Sequence, residues 1–266
     1  MHKHTGSDLE GRTAFISGGG SGIGRQIAVS LIDAGVRVFV CDADPDHLAS
    51  FLESYPKAQG QLADIGVQSQ VDAAFLELDR FSDRLDILVN NAGVSGPVAS
   101  VEEIEGADWR ATLDVNLSGP FYCAKQAVPR IKKSGGGSII NVASNAAFTG
   151  VPLRSPYAAS KWALIGLTKT WAMELGRYGI RVNAVCPGSV EGERIERVIQ
   201  EDALSRNLSK EEIRSLYLKQ NSMRVFVKPE EIAALVTFLC SESAKTISGQ
   251  ALGIDGHTES LGNWFD

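Results

Sequence analysis

Arg12-Thr13-Ala14-Phe15-Ile16-Ser17-Gly18-Gly19-Gly20-Ser21-Gly22-Ile23-Gly24 decides how the rest of the chain is read. Residues 12–17 make a short apolar strand that runs directly into a glycine-rich loop. Beyond the loop Ile23, Ile27, Ala28, Leu31 and Ile32 recur on one face of a helix. Strand, glycine loop and helix in that order are what a dinucleotide pyrophosphate requires. Glycines let phosphates approach the backbone, and the helix N-terminus offers N–H donors. A tight turn without a ligand would need the glycines but neither flanking element.

Working outward, Val36–Cys41 is a second strand ending at Asp42, about 20 residues past the glycine loop. A carboxylate there can accept hydrogen bonds from the adenosine ribose hydroxyls and would repel a 2′-phosphate. No Lys or Arg falls among Gly18–Gly24 or Cys41–Asp46, so NAD is favoured over NADP. The plainer role for an acid at this strand end, capping the next helix, can be filled by Asp44 before Pro45. A helix over Pro45–Ser54, a strand Gln61–Ala63 ending at Asp64-Ile65, and a helix carrying Val71, Ala74, Phe75 and Leu78 follow. Then Leu85–Val89 is a strand ending in Asn90-Asn91-Ala92-Gly93. The unbroken strand–helix rhythm predicts a doubly wound α/β fold, a parallel sheet with helices on both faces. Ligands of such sheets bind at the carboxyl ends of the strands, where Ser17, Asp42, Asp64, Asn90 and Ser144 all fall.

The stretch Asn141–Lys161 brings chemistry to that edge. An apolar strand over Ser138–Val142 delivers Ser144, and if Pro156 opens a helix, Tyr157 and Lys161 lie one turn apart on one face. Free Tyr, with a pKa near 10, is a poor base at neutral pH, and a nearby ammonium lowers that value. A Ser hydroxyl can hold a substrate oxygen while the phenol exchanges its proton, which suits an alcohol–carbonyl interconversion. The pair Tyr157 and Lys161 alone is also compatible with an ordinary helix bearing a surface Lys. Upstream, a long helix over roughly Asp108–Lys132 contains Asn116, a residue unfavourable in a helix interior. Its presence reads either as a tolerated polar contact or as a local distortion that points groups toward the site.

Downstream, Arg181–Cys186 is a strand broken by Pro187-Gly188, and two polar helices are expected over Glu193–Asn207 and Glu211–Gln220. Ser209 and Glu212 fit a capping box. Placed at the carboxyl edge, residues 191–222 would form a small helical substrate lid. A helix over Glu230–Leu239 and a strand over Ala251–Asp255 close the chain. No repeat or linker interrupts it, so residues 1–266 read as one domain with a flexible tail at about 1–8.

Composition narrows the function. Hydrophobic content of 44%, charged content of 22% and a net charge of −6 describe an ordinary soluble protein with no field for nucleic acid. No apolar run is long enough to span a membrane, and the polar start, with His2 and His4, lacks the core of a signal peptide. The four cysteines, Cys41, Cys123, Cys186 and Cys240, are widely spaced and read as reduced and structural, which places the protein in the cytoplasm.

Taken together, these motifs make the chain resemble the classical short-chain dehydrogenase/reductase (SDR) family over nearly its full length. The cofactor loop of that family matches Ser17–Gly24, its N-N-A-G matches Asn90–Gly93, and its post-strand P-G matches Pro187-Gly188. Its catalytic tetrad matches Asn116, Ser144, Tyr157 and Lys161. The resemblance implies a Rossmann-type domain in which Tyr157 is the general acid/base and Ser144 binds the substrate oxygen. Lys161 lowers the Tyr pKa and holds the nicotinamide ribose, and Asn116 positions a relay water. It further implies cofactor contacts from Gly18, Ser21, Gly22, Ile23 and Gly24, from Asp42, Asp64 and Ile65, from Asn90, Ala92 and Gly93, from Tyr157 and Lys161 themselves, and from Pro187, Gly188 and Val190. Direct hydride transfer needs no metal. A homotetramer is implied too, with the helices around 108–132 and 156–176 at one interface. Ser17 stands where Thr is usual and keeps the hydroxyl. Gly192 stands where Thr is common and removes one side-chain contact, which Ser189 could replace.

The expected activity is NAD-dependent interconversion of a secondary alcohol (a polyol, sugar, hydroxy acid or cyclic alcohol) and its ketone. Asn145, Arg154 and Glu191 lie near the expected pocket and could read hydroxyls or a charge. Phe148, Leu153 and Trp162 suggest an apolar wall, although Trp162 also fits the core. A 3-oxoacyl-thioester reductase is the alternative enzyme, disfavoured by Asp42. A non-catalytic dinucleotide sensor should have lost one of Ser144, Tyr157 or Lys161. The loop after Ser144 and the lid carry no motif that names the substrate.

Overall fold

Alternate side chains of the central strands enter two different apolar clusters, and that alternation sets the layers. In β1 (Thr13–Ser17), Ala14 and Ile16 enter one apolar cluster and Phe15 the other; in β2 (Arg37–Asp42), Val38 and Val40 part from Phe39 and Cys41 in the same way. Both faces of these strands are therefore covered, which is why they read as continuous apolar runs. The structure is a computed structural model that describes residues 8–258. His2, His4 and nearly all of the tail expected at residues 1–8 lie outside the described residues.

The other strands are β3 (Gln59–Leu62), β4 (Ile87–Asn90), β5 (Gly137–Val142), β6 (Ile180–Pro187) and β7 (Ala251–Ile254). They form one seven-stranded sheet in the order β3-β2-β1-β4-β5-β6-β7, with every pairing parallel. The chain winds outward from β1 through β2 to β3, then returns to the other side of β1 at β4. The crevice between β1 and β4 is the switch point where ligands bind in such folds.

Helices α1 (Gly22–Asp33) and α2 (Pro45–Ser54) cover one face with α9 (Pro229–Cys240); α3 (Gln68–Phe81) and α5 (Gly119–Lys133) cover the other. Asp44 does cap α2, accepting from the N–H groups of Asp46 and His47. Asp42 is thereby left for another task. The expected strand at residues 61–63 sits earlier, at Gln59–Leu62, because pairing with Phe39–Asp42 sets its register.

The single helix expected over 108–132 is interrupted. Helix α4 (Gly106–Leu113) passes into a π-helical turn at Asp114–Ser118 before α5 begins, and Asn116 lies inside that turn, fully buried. Both a local distortion and polar contacts of Asn116 are present, the first as this π-helical turn. Helix α6 (Ser155–Leu175) opens on Pro156 as expected. Helices α7 (Glu193–Arg206) and α8 (Lys210–Lys219) pair over their own small core of Ile195, Ile199, Ala203, Ile213, Tyr217 and Phe226. The capping box of Ser209 and Glu212 starts α8.

Candidate active site

The cleft is built first by the end of β1. Ser17 Oγ accepts from the N–H groups of Asn91 (3.0 Å) and Ala92 (3.1 Å), so the hydroxyl that replaces Thr ties β1 to the loop after β4. Asn91 Nδ2 returns the bond to the carbonyls of Ser17 (3.1 Å) and Gly18 (3.0 Å). Two loops from either side of the switch point become one rigid wall.

The glycine loop meets that wall closely. A Cβ on Gly24 would lie 2.0 Å from Gly18 O and 2.4 Å from Asn91 Nδ2. Ser21 occupies the N-cap of α1 without a side-chain cap bond, and no acid lies in the first turn. The first N–H groups of α1 are therefore free of the usual side-chain acceptor, as an anion site requires. Asp42 accepts from Gly20 N at 2.9 Å and from Asp44 N at 3.1 Å, so its carboxylate is fixed beside the loop. Asp64 lies past the end of β3 and accepts from Gly66 N at 2.8 Å, with Ile65 buried next to it.

The far wall comes from β4, β5 and α6. Asn90 Nδ2 donates to Asn141 Oδ1 (2.9 Å), Asn141 Nδ2 to Thr168 Oγ1 (2.9 Å), and Thr168 Oγ1 to Leu164 O (2.7 Å). This buried chain fastens α6 to the sheet and so fixes where Tyr157 and Lys161 stand. Asn90 Oδ1 is buried and has no partner. Lys161 Nζ donates to Val142 O at 3.0 Å and lies 5.8 Å from the centre of the Tyr157 ring. A Cβ on Gly93 would be 3.4 Å from that Nζ and 3.2 Å from Asn116 Oδ1, so Gly93, Lys161 and Asn116 are neighbours.

Tyr157 is half-buried and sits between opposing influences. Burial is the largest and pushes its pKa up; Lys161, then Arg194, a hydrogen bond with Ser144, and Arg154 pull it down and prevail. Burial likewise lowers the Lys161 pKa, partly offset by Tyr157. Ser144 Oγ accepts from Ala146 N and donates to Asn145 Oδ1, both at 3.2 Å.

Asn116 is held by three hydrogen bonds within the protein. Its Oδ1 accepts from Val94 N (2.8 Å), and its Nδ2 donates to Val94 O (2.9 Å) and Ser160 Oγ (3.1 Å). Both donors are spent, so its side chain clamps the loop after β4 onto α6.

At the end of β6, Gly188 packs against Asp255, where a Cβ would come within 2.8 Å, and its N–H donates to Ile254 O at 3.0 Å. Val190 forms a parallel bridge with Val227 whose bonds run through Ser189 O and Glu191 N. Val190's own N–H and C=O therefore face away from Val227. Gly192 has φ +136°, a conformation that L side chains rarely adopt, which accounts for glycine where Thr is common. Ser189 supplies a backbone contact here.

Of the expected pocket residues, Arg154 Nη1 reaches Ser95 O at 3.4 Å, Asn145 touches Ser144, and Glu191 is exposed. Trp162 is not core: it is 52% exposed and its Nε1 donates to Thr149 O. Phe148 and Leu153 are also exposed. All four cysteines are free and buried; burial pushes Cys41, Cys186 and Cys240 up to about 12, so they stay thiols.

A family model described as Enoyl-(Acyl carrier protein) reductase matches residues 18–257. The chain belongs to the short-chain dehydrogenase/reductase family. It is 35% identical over 252 residues to a 3-oxoacyl-(acyl-carrier-protein) reductase of Thermotoga maritima, covering 93% of this chain and 98% of that one. It is 35% identical over 253 residues to a D-beta-hydroxybutyrate dehydrogenase of Rhizobium meliloti, covering 92% and 97%. The solved structure of an NAD+-bound xylitol dehydrogenase superposes with a TM-score of 0.86 at 28% identity, covering 92% of this chain and 98% of that one. Family membership makes this protein an oxidoreductase.

Sequence reading missed Arg194, whose Nη2 donates to Ser95 Oγ at 2.7 Å. A signal was present: Arg194 is a cation in the first turn of α7, where the helix dipole favours acids.

Proposed function

We propose that this protein oxidises a secondary alcohol to its ketone with NAD, and reduces the ketone in reverse. The observation that carries the reading is Tyr157, drawn below its ordinary pKa beside Lys161 and Ser144 at the carboxyl edge of the sheet. In oxidation the Ser144 hydroxyl and the Tyr157 oxygen hold the substrate hydroxyl, and the Tyr157 phenolate takes its proton. Lys161 favours that phenolate by drawing the phenol pKa down. Asn116 acts as a positioning residue through Val94 and Ser160. The bound nicotinamide supplies the hydride acceptor or donor. The complete Ser144–Tyr157–Lys161 set argues against a non-catalytic sensor.

The dinucleotide fits the cradle on three counts: the close approach at Gly24, the uncapped start of α1 and the orphaned Asn90 Oδ1. Gly18, Ser21, Gly22, Ile23 and Gly24 would hold the pyrophosphate. Asp64 and Ile65 would line the adenine, and Asn90, Ala92, Gly93, Pro187, Gly188 and Val190 the nicotinamide half. The relatives include both ketoacyl reductases and hydroxy-acid dehydrogenases at the same identity, so the coenzyme choice rests on Asp42. Wild type is expected to bind NADH at least about tenfold tighter than NADPH, a like-charge penalty of roughly 1.4 kcal/mol or more, and Asp42→Ala to narrow that ratio. Equal or tighter NADPH binding in wild type would instead favour the 3-oxoacyl-thioester reductase.

Helices α7 and α8 are read as the substrate lid. We also infer a homotetramer built partly on α5 and α6, where Phe121, Trp162 and Met173 are exposed apolar residues. Light scattering on the purified protein should give four times the chain mass; a monomer mass would end that reading. Among the described residues no helix is long and apolar enough to cross a membrane.

A further inference from the structure

Two guanidinium groups end on one loop residue, Ser95. Arg154 stands immediately before α6 and donates to Ser95 O; Arg194 stands in the first turn of α7 and donates to Ser95 Oγ. They approach from different elements, one fixed and one on the expected lid. Among the described residues neither has a carboxylate within 4.0 Å. Two acids of the helical pair are engaged elsewhere: Glu196 with Arg214, and Asp202 with the Tyr217 hydroxyl at 3.0 Å. Glu191 and Glu193 are exposed.

The placement of Arg194 works against α7 itself, since a cation at a helix N-terminus opposes the dipole. Two like charges without an acid between them also repel. An oxyanion bound between the two would relieve both costs, and the planar fork of Arg matches carboxylate and phosphate oxygens. Both charges act on Tyr157, which places them within electrostatic reach of the reacting oxygen.

We propose that Arg154 and Arg194 form an anion-binding pair, so that the substrate carries an oxyanion group a few bonds from its reacting carbon, a short hydroxy acid being the simplest case. The proposal rests on the alcohol–ketone reading above and narrows it. Arg194 closes on the substrate with the lid, and Ser95 parks its guanidinium until then.

The test is calorimetric titration of the NADH-loaded full chain with 3-oxobutanoate and with its neutral amide, 3-oxobutanamide. Hydroxyacetone phosphate and hydroxyacetone form the second pair. Wild type is expected to bind the acid about tenfold to a hundredfold tighter than the amide, the usual range for a charged hydrogen-bonded contact. Preference confined to the phosphate pair would support the anion site and assign it to a phosphate ester. Arg154→Gln and Arg194→Gln should each erase most of the preference, with the loss in turnover falling on KM more than on kcat. Arg194→Lys should restore part of it. Ser95→Ala removes the parking contact but no charge, so it should keep the preference; if it matches Arg194→Gln, Arg194 is only a lid latch and the proposal fails. Equal binding of charged and neutral partners, or no binding by any of the four, overturns it. Turnover of the neutral ketones without charge preference would leave the oxidoreductase reading standing while the anion pair falls.

Discussion

Tyr157→Phe is expected to lower turnover about 10³- to 10⁴-fold while NADH binding stays close to wild type, because one oxygen is lost and nothing in the cofactor cradle moves. That oxygen is an acid–base group hydrogen-bonded with Ser144 whose pKa is drawn below the ordinary phenol value. Its burial opposes ionisation more than any single neighbour favours it, so ionisation depends on the summed pull of Lys161, Arg194, Ser144 and Arg154. The sign of the pH dependence follows. Oxidation needs the phenolate, so its rate rises with pH through a value below the ordinary phenol pKa and then levels; ketone reduction needs the phenol and falls through the same limb. Removing the ammonium in Lys161→Met leaves burial less opposed, and the limb should move to higher pH. Retention of more than about a tenth of the turnover by Tyr157→Phe would remove Tyr157 from proton transfer. A limb that stays in place in Lys161→Met would show that Lys161 does not set the Tyr157 pKa.

The strand–loop–helix at residues 12–32 was legible because its pattern is local: apolar alternation, close-packed glycines and a 3.6-residue period need no knowledge of neighbours. The same holds for Tyr157 and Lys161, whose four-residue spacing puts them one turn apart on α6, whereas their approach to Ser144 depends on how α6 packs on the sheet. Asn116 was legible only as a conflict between residue and helix, and the π-helical turn resolves it. What sequence could not supply was contact between distant segments. The register of β3 is set by β2, the bridge of Val190 by Val227, and the site of Arg194 by Ser95. Trp162 was ambiguous because an exposed aromatic and a core aromatic look alike within a helix. Gly192 read as a missing Thr, whereas its backbone conformation is what glycine serves there.

Gly24→Ala is expected to weaken NADH binding by more than about a hundredfold and to lower Tm by about 3–10 °C, a cost of roughly 1–3 kcal/mol for overpacking. The added carbon would stand 2.0 Å from Gly18 O and 2.4 Å from Asn91 Nδ2. Those two atoms are already bonded to each other at 3.0 Å, so neither can retreat without parting the wall that joins β1 to the loop after β4. The strain therefore falls on the seam where the dinucleotide would lie rather than on a flexible side chain. Gly150→Ala is the matched control: its added carbon meets nothing within 4 Å, and Tm should be unchanged. Wild-type affinity and Tm in Gly24→Ala would mean the loop has room that its geometry denies. The two losses also separate by kind. Tyr157→Phe should bind NADH without reacting, whereas Gly24→Ala keeps every reacting group and should recover rate as NADH is raised. If added NADH restored nothing, the damage would extend beyond the cradle to α6, which the Asn90–Asn141–Thr168 chain fastens to the same sheet.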